Sequence, residues 1–186
     1  GDVGVSRRQR IAGHCGDGIM KFTGTGLFLA ACLVSLGTWA QDRVEVYPND
    51  RLIWSETLFH AENGLVREGN QWRGQVLWTV QPGKIFAGYS SSTFDLAFTV
   101  ENGQLIQGDS QFSDAILYTL DGSNVYIGDS TFPLDLVYTL RPAPFDPQIM
   151  GLFKEDSIST FDRICVFRGV PSAEQLFGLL LAQGLL

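Results

Sequence analysis

From about residue 43 onward, apolar and polar residues alternate in short runs, and the runs recur. Trp78-Thr79-Val80, Phe98-Thr99-Val100, Tyr118-Thr119-Leu120 and Tyr138-Thr139-Leu140 fall at intervals of twenty. Period-two alternation rich in β-branched and aromatic residues predicts strands. In residues 123–142 the first strand is Asn124-Val125-Tyr126-Ile127, and Gly128-Asp129-Ser130-Thr131-Phe132-Pro133 interrupts it. A second strand is predicted from Leu134 to Leu140. It places Leu134, Leu136, Tyr138 and Leu140 on one face and Asp135, Val137 and Thr139 on the other. Asn63-Gly64, Asn102-Gly103 and Asp121-Gly122 join one unit to the next, and such dipeptides favour tight turns because glycine accepts positive φ.

Residues 103–122 and 123–142 share seven of twenty positions without a gap. Units are read at about 43–63, 64–82, 83–102, 103–122, 123–142 and 150–168, with a Pro-rich insert, Arg141 to Pro147, before the last. A lone hairpin of this size cannot bury enough apolar surface to offset its chain entropy, so the copies must share cover. Phe59, Trp78, Phe98, Tyr118 and Tyr138 are the expected common column. The fold expected is therefore all-β: tandem hairpins stacked or closed into a ring or propeller-like sheet. Pro171 to Leu186 departs from this pattern. It reads as a short apolar helix capping the end of the repeats, within a carboxyl-terminal segment 169–186.

The first forty residues are of another kind. Met20, Lys21, the uncharged run Gly26–Leu36 and Thr38-Trp39-Ala40 have the layout of a Sec signal peptide at 20–40, with cleavage after Ala40. This predicts a periplasmic or secreted protein whose repeat domain occupies 41–168. Leu29-Ala30-Ala31-Cys32 offers the alternative of a lipoprotein anchored at Cys32. Residues 1–19 lie upstream of that first Met and read as a mis-called start or a non-native remnant. The apolar run is too short for a membrane span, which needs about 20 residues.

Charge narrows the partners. The chain carries 13 basic and 20 acidic residues. Past residue 40 the counts are 9 and 18, an acidic domain that phosphate backbones would repel, so nucleic acid is not expected.

Candidate chemistry is sparse. Past residue 40 there is one cysteine, Cys165, inside an apolar run, and one histidine, His60, in the threonine column of the repeat. Both read as structural, although a Cys165–His60 dyad is conceivable. The acid columns are the better candidates. Asp109, Asp129 and Asp156 precede Ser110, Ser130 and Ser157, while Asp95, Asp135 and Asp162 follow. Turn chemistry explains them, since Asp and Ser side chains bond nearby backbone amides. The sharper alternatives are a Ca2+ site at Asp109, Asp129 and Asp156, or an acid–base pair of a glycoside hydrolase. Trp54 and Trp72 lie off the main aromatic column and are candidates to stack on sugar faces, with Asp109, Asp129 and Asp135 as polar neighbours.

The hairpin units, the Asn/Asp-Gly connections and the Gly-Asp-Ser…Tyr-Thr pattern over about 43–168 resemble bacterial small β-hairpin repeat proteins of the β-flower kind. The resemblance implies an all-β repeat fold without known catalytic residues, and leaves the number of petals open. The export signal, the Pro-rich insert and the terminal helix are departures from it. The function expected is an exported, non-enzymatic binding module for cell-wall glycan or a protein. The alternatives are a self-assembling envelope component forming homo-oligomers and, last, an Asp-dependent hydrolase.

Overall fold

The dipeptides Asn63-Gly64 and Asn102-Gly103 both adopt positive φ at each residue, 51° and 72° in the first and 51° and 79° in the second. This geometry suits two-residue hairpins because its twist matches that of the flanking strands. At Gly103 the fit is also steric: a Cβ there would lie 2.6 Å from the Leu120 carbonyl oxygen. Twelve strands follow from such turns in a computed structural model that describes residues 43–48 and 50–186. They are β1 (Arg43–Tyr47), β2 (Phe59–Glu62), β3 (Leu65–Glu68), β4 (Val76–Gln81), β5 (Lys84–Ala87), β6 (Leu96–Glu101), β7 (Gln104–Gln107), β8 (Ile116–Asp121), β9 (Asn124–Ile127), β10 (Leu136–Ala143), β11 (Asp146–Lys154) and β12 (Arg163–Arg168). Each strand pairs antiparallel with its sequence neighbours, and β1 closes on β12 through Glu45–Arg168, Val46–Phe167 and Tyr47–Val166. The expected ring is therefore a closed barrel, which leaves no strand edge unpaired. The leader, its Ala40 cleavage point, the Cys32 lipobox and residues 1–19 lie outside the described residues.

The two ends of the barrel differ. Tight turns at 63–64, 82–83, 102–103, 122–123 and 144–145 form one end. Six longer connections, 48–58, 69–75, 88–95, 108–115, 128–135 and 155–162, form the other and are called petals below. The Pro-rich insert is not a separate loop. Arg141, Pro142 and Ala143 extend β10, and Asp146 and Pro147 begin β11, making one long hairpin tipped by Pro144-Phe145.

Simple alternation fails where five of the six petals rejoin the sheet. Leu136 pairs with Tyr126 but Tyr138 pairs with Val125, so Val137 is an extra, bulged residue. The same slip recurs at Leu77, Ala97, Leu117 and Ile164. The bulge turns Leu136 to the outer wall with Tyr126, not inward with Tyr138. Leu134 is not in a strand at all: it sits in a 3-10 turn, Pro133–Asp135, and is 98% exposed. At four of these five sites a local bond accompanies the bulge. The amides of Gly88, Gly108, Gly128 and Glu155 donate to the carbonyls of Leu77, Ala97, Leu117 and Val137 at 2.7–2.9 Å, fixing the kink at the barrel rim.

Inside the barrel, Ala61, Val80, Val100 and Leu140 form a buried aliphatic tier near the turns. Phe59, Trp78, Phe98, Tyr118 and Tyr138 form the tier nearest the petals and are only partly buried. The helix α1 (Ala173–Ala182) fills the bore. Leu176 to Leu180 are five consecutive buried residues, and at about 100° per residue they sweep more than one full turn. Leu176, Phe177, Leu179 and Leu180 belong to one cluster with Val44, Val66, Ile85, Leu105 and Val125 of the wall. A Cβ on Gly178 would meet Val80 and Val66 at 3.1 and 3.2 Å, so a bare backbone lets the helix approach the wall. A Ser172–Gln175 capping box starts the helix, and Glu174 accepts from the Gly83 amide at the turn rim. The helix is thus a plug. A closed ring has no terminal repeat to cap, so the apolar tail seals the bore instead.

Candidate ligand-binding site

The petals bend outward over the barrel wall, and one column of side chains holds them there. Thr79, Thr99 and Thr119 point outward and donate their hydroxyls to the carbonyls of Gly88, Gly108 and Gly128 at 2.6–2.7 Å. His60 occupies the same column, and its Nδ1 lies 2.6 Å from the Gly69 carbonyl oxygen, which it meets as donor. Its Nε2 is buried without a partner. The threonine-column reading of His60 thus matches its placement. Cys165 belongs to the inward core cluster, so the wall separates it from His60 and the dyad does not form. Burial pushes the Cys165 thiol up to about 12, with Gln183 opposing.

The petal acids are tied locally. Ser90, Ser130 and Ser157 donate to Asp95, Asp135 and Asp162 at 2.5–2.6 Å, and the Ser130 and Ser157 hydroxyls also accept the Phe132 and Ser159 amides. Asp135, a predicted ligand neighbour, therefore braces a 3-10 turn. Asp129 accepts from Gln104 at 2.6 Å, reaching across to the wall beneath. Asp156 pairs with Arg141. Asp109 is exposed in the equivalent turn. The Ca2+ alternative required Asp109, Asp129 and Asp156 to converge, but they lie one per petal. Among the described residues no three His, Cys, Asp or Glu are grouped to hold a metal.

Large apolar side chains stand out from the petals instead. Trp54 and Trp72 are exposed rather than packed into a core, and Arg73 lies over the Trp72 ring at 4.6 Å. Sequence reasoning missed their companions Phe94, Phe112, Phe132 and Phe161, which are 73–98% exposed. A signal was present: Phe112 and Phe132 occupy one repeat column inside otherwise polar loops, out of phase with either strand.

Between petals the outer wall carries shallow depressions. One, of about 510 Å3, is lined by Asn124, Tyr126, Pro133, Leu134, Leu136, Glu155 and Asp156. Its counterpart one repeat earlier, about 260 Å3, includes Gln104, Ile106, Phe112 and Ile116. A third, about 340 Å3, lies between Leu65, Thr79 and Tyr89. Each combines amide or hydroxyl groups with an apolar flank.

A closed ring of antiparallel hairpins with six outward petals defines a β-hairpin repeat protein whose surface, not its filled bore, is open to contact. The chain belongs to the 6-fold beta flower protein family, whose model matches residues 46–146, just over half of its length. The matched span ends where β11 begins, and β11 and β12 complete the ring. No curated protein and no solved structure matches the chain.

Proposed function

We propose that this protein is an exported, non-enzymatic binding module that grips a glycan or a protein through its petals. One observation carries the reading: Trp54, Trp72, Phe94, Phe112, Phe132 and Phe161 are all exposed on the petals. Exposed large aromatic side chains repeated one per petal offer a set of contact points around the ring. Aromatic rings suit that role, because they offer large area with little rotamer entropy to lose. The non-enzymatic part rests on side-chain engagement. Asp95, Asp135 and Asp162 are held by serines, Asp129 by Gln104 and Asp156 by Arg141, while His60 and Cys165 are separated by the barrel wall. Export follows from the leader pattern at 20–40 and places the ligand in the periplasm or outside the cell.

A glycan array and a pull-down on peptidoglycan test the reading. Retention that falls on Phe94→Ala or Phe161→Ala is the expected result. Absence of any ligand, together with oligomers that grow with concentration, would favour the self-assembling alternative. That second reading has its own support in Phe145, fully exposed at the tip of the long β10–β11 hairpin, at the end opposite the petals.

A further inference from the structure

We infer that the depression around Tyr126 is a subsite for a neutral sugar, a deepening that rests on the binding-module reading above. Its case begins with a break in the repeat. In three units the column threonine donates to a petal glycine carbonyl, but Thr139 donates to Asn124 Oδ1 at 3.0 Å. The petal glycine is here Glu155. Asn124 in turn donates Nδ2 to the Tyr126 hydroxyl oxygen at 3.2 Å. This relay orients both groups. It does not use the second Nδ2 hydrogen of Asn124 or the Tyr126 O–H proton, and both residues line the depression. Arg141 holds Asp156 through Oδ1, so its second carboxylate oxygen is an acceptor on the same rim.

Sugar hydroxyls each donate and accept, so fixed donors beside a fixed carboxylate match a pair of neighbouring hydroxyls. Pro133, Leu134 and Leu136 supply the apolar flank that a sugar's C–H face requires. The depression, about 510 Å3, lies within the usual range of small-molecule sites, roughly 300–1,000 Å3. The counterpart groove lacks the hydroxyl and the relay: Ile106 stands where Tyr126 does, and Gln104 gives one of its Nε2 hydrogens to Asp129. Glu155 and Asp156 on the rim also disfavour anionic ligands, which points to an uncharged glycan.

The test is calorimetric titration of the purified protein with chitotetraose, cellotetraose and maltotetraose, repeated with Tyr126→Phe and Leu134→Ser. Tyr126→Phe removes one hydroxyl and keeps the ring, and Leu134 is so exposed that its loss leaves the fold intact. Binding of at least one oligosaccharide, weakened about tenfold by either change, supports the subsite, a loss equivalent to one good hydrogen bond. Binding unaffected by both variants overturns this site but leaves the module reading standing. No oligosaccharide binding, with petal-dependent capture on peptidoglycan or protein intact, overturns the ligand class alone. Failure of every ligand overturns both.

Discussion

The turn end and the petal end of this barrel use apolar residues in opposite ways. Near the turns, Val80, Val100 and Leu140 pack against a helix whose Phe177, Leu179 and Leu180 are fully buried. On the petals, rings of similar size stand in solvent. Both sets contribute to the same mean hydropathy, yet only the first holds the fold together. The difference teaches that in a closed ring of short strands the stabilising surface lies in the bore, and the loops are released for contact.

Two phenylalanines put the largest number on that contrast. Phe177→Ala removes a fully buried ring from the plug and should cost about 3–5 kcal/mol of unfolding free energy. Phe161→Ala removes a ring that is 96% exposed and should change stability by no more than about 0.5 kcal/mol. Urea denaturation of both variants measures the gap. Similar midpoints for the two would end the claim that the helix is a structural plug.

The Cys165 thiol reports on the same packing. Burial raises its folded pKa to about 12, above the ordinary thiol value of about 8.5. The folded state therefore keeps a proton that the unfolded state loses, and stability falls as pH rises from about 8.5 toward 12. Below that window this contribution is fully present. At pH 8 an aromatic disulfide reagent should label Cys165 only as fast as the protein opens, and Phe177→Ala should accelerate labelling. Immediate labelling of Cys165 itself, located by peptide mapping, would show that the bore is open to solvent.

Much of this contrast was legible in the sequence. The twenty-residue spacing of Thr79, Thr99, Thr119 and Thr139 marks the repeat directly, and Asn63-Gly64 and Asn102-Gly103 mark turns because that signal acts within a few residues. Leu134 and Leu136 were misplaced because a period-two reading carries no sign of a bulge, which goes here with an amide reaching back from the petal to the wall. Closure of β1 on β12 was left open between ring and stack. It depends on the accumulated tilt and stagger of all the strands, not on any one of them. The helix was recognised but assigned to an open end, since its target is a bore that exists only after closure. On the binding surface, Trp54 and Trp72 were found by exclusion from the core column. Tyr126 was hidden in a strand whose alternation looked ordinary.

Within the petals, the serine–aspartate bond should matter on a smaller scale. Ser130→Ala removes the donor to Asp135 and the acceptor for the Phe132 amide. A loss of about 0.5–1.5 kcal/mol is expected, the usual net worth of such a bond. Amide hydrogen exchange should quicken in residues 128–135 and stay slow in β8 and β9. Uniform acceleration across the barrel would mean that petal and wall are one cooperative unit.

A similarly small effect concerns the position where the repeat changes residue. Gly88, Gly108 and Gly128 adopt φ of 61°, 62° and 65°, and Glu155 takes the same place with φ of 53°. Left-handed backbone strains any residue with a Cβ, whereas glycine accepts it freely. The space around Gly128 is open, since nothing lies within 4 Å of a built Cβ, so backbone strain alone decides the outcome there. Gly128→Ala should then destabilise by about 1 kcal/mol, and Glu155→Gly should stabilise by somewhat less, because glycine also gains freedom in the unfolded chain. Thermal melts of the two single variants, read against each other, sharpen the comparison between repeats. If Glu155→Gly instead lowers the melting point, the glutamate side chain holds its petal by contacts that outweigh the strain, and the sixth petal differs from its neighbours in more than sequence.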